Sequence, residues 1–367
     1  MAGFSATDHA MMARALRLAE RGLYTTQPNP RVGCVIAQGD EVVGEGWHMR
    51  AGEPHAEVFA LRSAGIRARG ATAYVTLEPC AHYGRTPPCA DALVEAGIAR
   101  VVAAGEDPNP KTAGNGLRRL REAGIEVASG LMCEAARELN RGFLSRMKRG
   151  RPWVRIKLAM SLDGRTALAN GESKWITGEA ARADVQRWRA RSSAILTASG
   201  TARADDPRLT VRLSVSVEGF KPLRVVLDRR LDALPADAHL LDGSAPTLVL
   251  HAPDAQPSDG RYAQTELAAV ELDSNGKLDL HAVMRSLAQK QVNELQVEAG
   301  PRLCGALFEA GLMDELLLYV TPVLLGDSAR PLLALSSLNS MAQRHNLRVI
   351  DQRPVGNDIR LLLRSAT

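Results

Sequence analysis

His55-Ala56-Glu57, followed by Pro79-Cys80 and then Cys89, sets one imidazole, one carboxylate and two thiols in a fixed order. Imidazole and thiolate are ligands that Zn2+ takes well, and three of them leave one tetrahedral position for water. A metal so held lowers the pKa of its water towards neutrality, which makes hydroxide available to attack an amine-bearing carbon of a heterocycle. The departing amine needs a proton. Glu57, two residues past His55, can shuttle it without binding the metal. A lone His or Cys is more often packing than ligand, but the order and combination here outweigh that reading. The other thiols carry no such pattern. Cys34 sits in the apolar run Val32 to Ile36, and Cys133 and Cys304 stand at the starts of helix-like segments, so all three read as small buried residues.

An H-x-E followed by P-C-x-x-C is the signature of the zinc deaminases. This chain departs from it in one respect: eight residues, not two, separate Cys80 from Cys89. The departure points to one branch of those enzymes.

The elements that must position these residues follow from periodicity. In the first 130 residues, helical and strand-like periods alternate. Asp8 to Arg21 places Met12, Ala15, Leu16 and Ala19 on one helical face. Strands are expected at Val32 to Ala37 and Glu41 to Trp47, with a turn at Gln38-Gly39-Asp40. A helix opens at His55, a strand from Ala73 to Leu77 runs into Glu78-Pro79-Cys80, and a second helix opens at Cys89. A strand at Ala99 to Ala104, a helix at Leu117 to Ala123 and a strand at Ile125 to Ala128 complete a three-layer α/β pattern. Helix N-termini favour thiolate, so the placement suits the proposed ligands. Glu134 to Met147 reads as one more helix. The basic, Gly/Pro-containing stretch 148–152 reads as a linker between a domain over 1–147 and a second over 153–367.

The second half also mixes α and β, with strands expected at Trp153 to Ala159, Ala194 to Thr197, Leu223 to Asp228, Thr247 to Leu250, Leu295 to Glu298, Glu315 to Val320 and Ile359 to Leu363. Helices are expected at Glu179 to Ala190, Asp279 to Ala288 and Leu303 to Ala310. Arg261 to Asn275 shows little pattern and reads as surface. No G-x-G-x-x-G occurs, which argues against a Rossmann site. Val297-Glu298-Ala299-Gly300-Pro301 joins a strand to a helix and could bring N–H groups to a phosphate, although most such junctions are structural. Arg208 and Arg212 could grip a phosphate, but on spacing alone a capped turn with solvated arginines explains them better.

The 367 residues suggest two domains, and 45% hydrophobic with 24% charged residues is ordinary for a globular protein. A net charge of +5, spread along the chain, suits an anionic small molecule as well as nucleic acid. Five scattered cysteines argue against a disulfide framework and for a reducing compartment. The N-terminus lacks a signal-peptide core. The longest stretch without Asp, Glu, Lys or Arg, Pro331 to Gln343, is shorter than the about 20 apolar residues that a bilayer requires. The expectation is a cytoplasmic protein that does not bind membranes.

The residues resemble, from end to end, the bifunctional riboflavin-biosynthesis family in which a pyrimidine deaminase is fused to a pyrimidine reductase. The first half carries Pro28-Asn29-Pro30-Arg31-Val32-Gly33, His55-Ala56-Glu57, the run from Thr76 to Cys89, and Asp107-Pro108-Asn109-Pro110 with Gly114 and Gly116. The long cysteine gap is characteristic of this family. The second half carries Lys157 to Gly164, Ser173-Lys174-Trp175-Ile176-Thr177, Ala204 to Pro207 with Leu209 to Arg212, and Glu298-Ala299-Gly300-Pro301. One departure, Lys111-Thr112-Ala113, falls in a loop.

The resemblance implies a cytidine-deaminase-like domain followed by a dihydrofolate-reductase-like domain that uses NADPH. It implies zinc-dependent removal of the 2-amino group of 2,5-diamino-6-(5-phosphoribosylamino)pyrimidin-4-one, then reduction of the ribosyl side chain to ribityl by hydride delivered to the sugar C1′. Carried over by position, His55, Cys80 and Cys89 hold Zn2+ and Glu57 is the proton shuttle. Ala159, Trp175, Thr201, Asp205 and the turn Gly300, Pro301, Arg302, Leu303, Cys304, Gly305, Ala306 contact NADPH. Ser173, Arg189, Leu209, Arg212 and Glu298 contact the substrate, with Lys157 near the hydride acceptor and Asn29 and His82 near the pyrimidine. The family also implies a homo-oligomer assembled through the reductase domain.

Two rivals compete. A nucleic-acid deaminase, of the tRNA-adenosine type, shares H-A-E and zinc. The long cysteine gap, the large second half and 4% aromatic content speak against it and for a partner that is a small molecule, not nucleic acid. A non-catalytic zinc module is the other, and the presence of every catalytic candidate speaks against that.

Overall fold

The computed structural model describes residues 3–81, 87–109, 113–213 and 221–366. The chain divides into two compact units, Met1–Gly150 and Arg151–Thr367.

In the first unit, α1 (Ala6–Glu20) leads into β1 (Gly33–Gln38), β2 (Glu41–Trp47), α2 (Ala56–Ala64), β3 (Thr72–Val75), α3 (Cys89–Glu95), β4 (Arg100–Ala103), α4 (Asn115–Glu122), β5 (Glu126–Ser129), α5 (Cys133–Leu139) and α6 (Arg141–Arg149). Among the described residues the strands form one sheet in the order β2-β1-β3-β4-β5. β1 runs antiparallel to β2 and β3, and β3, β4 and β5 are parallel.

The apolar strands are covered on both faces, which explains why β1 lacks a polar alternation. Cys34 and Ile36 pack with Ala56, Ala60, Leu93, Leu117 and Leu120 from α2, α3 and α4. Val35 and Ala37, pointing the opposite way, pack with Met12, Ala15 and Leu16 of α1 and with Ala136 of α5. The result is the expected three layers. α2 lies directly on β2: a Cβ at Gly46 would stand 2.4 Å from the Ala56 carbonyl oxygen, so only glycine permits this approach. That contact fixes the helix whose first turn carries Glu57.

One expectation fails locally. The helix expected over Glu134 to Met147 is two helices, broken at Asn140. The Asn140 side chain accepts from the Arg31 N–H (2.7 Å) and donates to the Arg31 carbonyl (2.9 Å), a tertiary bridge that periodicity cannot reveal.

In the second unit come β6 (Trp153–Ser161), β7 (Arg165–Ala167), α7 (Glu179–Ala190), β8 (Ala194–Ala198), α8 (Ser199–Asp205), β9 (Leu223–Leu227), β10 (Thr247–His251), β11 (Glu266–Ala269), α9 (Leu280–Gln289), β12 (Glu294–Val297), α10 (Pro301–Glu309), β13 (Glu315–Thr321), β14 (Arg330–Pro331), β15 (Leu347–Val355) and β16 (Asp358–Ser365). The large sheet has the order β11-β10-β9-β8-β12-β6-β13-β16-β15, and β14 pairs with β7 separately. From β11 to β13 the neighbours are parallel, and β16 is antiparallel to both β13 and β15. The core draws on Val154, Ile156, Leu196, Val225, Leu250, Leu295 and Val297 from the strands, and on Leu287 and Leu307 from the helices.

The stretch Arg261 to Asn275 is not patternless surface. It contains β11, which pairs in parallel with β10. β15 also escaped the sequence reading, because an edge strand with mostly exposed side chains has no apolar alternation. β12 ends between β8 and β6, both of which run on past it: Val297, its last residue, is in register with both Ile156 and Leu196. Lys157, within β6, and Glu298, just past the end of β12, are each one residue further along and meet at the carboxyl end of β12. That is where open α/β sheets place their ligands.

Candidate functional sites

In the first unit, His55 is the N-cap of α2, Cys89 is the first residue of α3, and Cys80 follows the exit of β3. Among the described residues their ligand atoms form a cluster lying within 4.8 Å of one another. His55 Nδ1 lies 3.2 Å from Cys89 Sγ and 3.6 Å from Cys80 Sγ, and both thiols are free. Hydrogen bonding from Cys89, including its N–H at 3.4 Å, and from His55 holds the Cys80 thiol well below its ordinary value. Cys89, beside that sulfur and buried, is pushed up. His55 is raised by its bond with Cys80.

Glu57 sits in the first turn of α2 and is buried at 3% exposure. Burial raises its carboxyl, and Oε2 has no hydrogen-bond partner among the described residues. An orphaned buried oxygen costs free energy unless something completes it. One nitrogen and two sulfur donors, converging beside such an oxygen, fit Zn2+ and a water.

Sequence reasoning missed His48. Its ring packs edge-on against His55 with centroids 5.4 Å apart, and its Nε2 lies 3.1 Å from Asn29 Nδ2. Asn29 therefore stands behind the cluster through His48. His82, the other residue tied to the pyrimidine, lies outside the described residues, as do Lys111 and Thr112.

The second unit gathers several of its candidates just past the ends of β8 and β12 and along the neighbouring part of β6. Arg189 on α7 grips Glu298 at two points, Nε to Oε1 and Nη2 to Oε2, each 2.7 Å, and donates to the Thr210 carbonyl at 3.0 Å. Gln296 adds a bond of 2.8 Å to Glu298 Oε1. Burial alone would raise the Glu298 carboxyl, but Arg189, Lys157 and Gln296 bring it down to about 2. Burial lowers the Lys157 ammonium, Glu298 opposes that, and the Lys157 Nζ stands 5.9 Å from the centre of the Tyr319 ring. Tyr319, unnoticed in the sequence, donates to Asp184 at 2.7 Å. Burial and the like charges of Arg189 and Arg208 disfavour the charge on Arg212. An anion placed there would relieve that repulsion.

The residues proposed for the dinucleotide, together with Ser173 and Leu209 of the substrate set, fall into two groups. Gly300 caps α10, its N–H donates to Thr201 Oγ1 at 3.2 Å, and Pro301 is the first helical residue. Arg302 and Ala306 are exposed on α10, Asp205 is exposed at the end of α8, and Trp175 is 72% exposed beneath the Arg182 guanidinium. Ala159 and Ser173 are half-buried. By contrast, Leu303, Cys304 and Leu209 turn their side chains into the core, and Gly305 packs on the main chain of Ala334. Contact from these four with a ligand would run through the main chain.

The site and fold define a class: a cytidine-deaminase-like unit with a zinc-type cluster, followed by a dihydrofolate-reductase-like α/β unit. Residues 5–105 match the cytidine and deoxycytidylate deaminase zinc-binding region, and residues 152–361 match the RibD C-terminal domain. The chain is 50% identical to the riboflavin biosynthesis protein RibD of Escherichia coli K12, over 97% of this chain and 99% of that one. It is 48% identical to the RibD of Haemophilus influenzae, over 98% of each. The solved structure of Acinetobacter baumannii RibD matches with a TM-score of 0.91 at 47% identity, covering 98% of this chain and 99% of that one. A Thermotoga maritima diaminohydroxyphosphoribosylaminopyrimidine deaminase/5-amino-6-(5-phosphoribosylamino)uracil reductase matches with a TM-score of 0.87 at 31% identity, covering 98% and 99%. The chain belongs to the RibD family of riboflavin biosynthesis, bifunctional enzymes that join a zinc deaminase to an NADPH-dependent reductase. Among the described residues, no helix is long and apolar enough to cross a membrane.

Proposed function

We propose that His55, Cys80 and Cys89 hold the zinc and that Glu57 is the catalytic carboxylate for deamination of 2,5-diamino-6-(5-phosphoribosylamino)pyrimidin-4-one. The observation that carries this reading is the convergence of three donors within 4.8 Å beside a buried carboxylate oxygen without a partner. Zinc held there supplies Lewis-acid activation of water. Glu57, whose carboxyl is raised by burial, takes a proton from water and returns it to the leaving amine. Asn29 and His82 are the residues we assign to the pyrimidine.

The second unit takes the deaminated product. NADPH supplies the hydride that reduces the ribosyl side chain. Ala159, Trp175, Thr201, Asp205 and the Gly300 to Ala306 turn hold that cofactor, with N–H groups of the α10 terminus facing phosphate. Ser173, Leu209 and the Arg189–Glu298 pair line the substrate side, Arg212 takes the 5′-phosphate, and Lys157 stands where a proton is needed. We assign deamination to 1–147, a linker to 148–152 and reduction to 153–367, in a cytoplasmic homo-oligomer assembled through the reductase domain. The test is competition: the chain is offered the phosphoribosylaminopyrimidine and a tRNA together. Deamination of the pyrimidine alone is expected. Deamination of tRNA alone would overturn the reading.

A further inference from the structure

Glu78, two residues before Cys80, is buried at 4% exposure and directs its carboxylate at four main-chain N–H groups. Oε2 accepts from Asp107 (3.1 Å) and Gly114 (3.0 Å), and Oε1 from Gly116 (2.8 Å) and Leu117 (3.2 Å). Gly116 and Leu117 lie in the first turn of α4, whose N–H groups have no acceptor within the helix. The contact is also steric: a Cβ at Gly116 would stand 1.8 Å from the Pro79 carbonyl oxygen. The start of α4 is therefore in main-chain contact with the segment that carries Cys80.

Cys80 is tied from the other side as well. Its carbonyl accepts from Ala90 at 3.1 Å and its sulfur from the Cys89 N–H at 3.4 Å, both at the start of α3. The residue is thus suspended between two helix N-termini, and Glu78 makes the connection to one of them.

We infer that Glu78 is a positioning residue for the metal site: by binding the start of α4 it fixes the 78–80 segment and sets where the Cys80 sulfur stands relative to His55 and Cys89. The carboxylate is required because four donors converge on it. A glutamine keeps one acceptor oxygen and turns an NH2 towards the remaining N–H groups. Groups that orient metal ligands from behind typically change metal affinity by about 10–100-fold when removed.

This inference rests on the zinc reading of the cluster, and the experiment separates the two. Full-length protein is loaded with zinc and competed with a chromophoric chelator. Wild type without stoichiometric zinc would overturn the underlying reading before any variant is compared. Given stoichiometric zinc, Glu78→Gln is expected to lose about 10–100-fold in affinity, and its Co2+-loaded form to change its thiolate-to-metal absorption. A merely structural role would lower the unfolding midpoint of the metal-free protein and leave affinity and absorption of the folded protein unchanged. That result, or wild-type affinity, overturns the inference. Should Glu78→Gln not fold, Glu78→Asp carries the test, since it keeps the charge but falls a methylene short of the four donors. Weakened affinity there supports the inference and wild-type affinity overturns it.

Discussion

Arg189 and Glu298 face each other as a fork on a fork, with both N–O distances at 2.7 Å and side chains only 10% and 14% exposed. Removing one partner of such a pair leaves the other charge buried and unpaired, at a cost of about 3–5 kcal/mol. Arg189→Met is therefore expected to lower the stability of the chain by that order at pH 7, measured by urea unfolding, and to weaken turnover of the deaminated substrate.

The same pair sets a pH dependence. Glu298 has its carboxyl brought down to about 2 in the folded protein, against about 4.3 for an unfolded glutamate. The unfolded chain binds more protons between those values. The stabilisation is complete above the unfolded value and is lost as pH falls towards the folded one. Unfolding measured from pH 7 to pH 3 should show the gap between wild type and Arg189→Met narrowing on acidification. A gap that stays constant would show that Glu298 is not held ionised by Arg189.

Glu57→Gln should keep its zinc and lose deamination by about 10²–10⁴-fold, the range for a general acid–base residue. Metal analysis and deaminase assay on the same sample decide this. Loss of zinc would make Glu57 a ligand and not the proton carrier.

Stripping the metal with a chelator should abolish deamination and leave reduction of already deaminated substrate intact, since the zinc-type cluster and the Lys157–Glu298 site belong to different units. The readout is NADPH oxidation followed at its absorbance. A parallel fall in both activities would tie the reductase to the metal.

Asn140→Ala removes two hydrogen bonds to the main chain of Arg31, at 2.7 and 2.9 Å. A hydrogen bond of this kind contributes about 0.5–1.5 kcal/mol. A lowered thermal midpoint with unchanged reductase turnover is the expected result.

What the sequence makes legible follows from which interactions are local. The ordered set His55, Glu57, Cys80 and Cys89 is readable because the chemistry dictates the residue types, the strands β1 and β13 because they are largely apolar runs, and β6 because Trp153 to Ala159 alternates. The break at Asn140 is not readable, since its cause is a bond to a residue 109 positions away. Nor is β15, an edge strand with too few buried side chains to leave a period. Glu78 was visible inside the Thr76 to Cys89 run but carried no role. The four donors that explain it lie about thirty to forty residues further along the chain, and only the fold assembles them. His48 likewise gains meaning only once its ring is found against His55.

The central claim is that one chain carries out two consecutive steps on one small molecule. The most direct measurement is incubation with 2,5-diamino-6-(5-phosphoribosylamino)pyrimidin-4-one, with and without NADPH, followed by mass spectrometry. Without NADPH, the product should carry oxygen in place of the 2-amino group and retain its ribosyl chain. With NADPH, the same product should gain two hydrogens on the sugar. Unchanged substrate without NADPH, or a deaminated product that NADPH does not alter, would contradict the account.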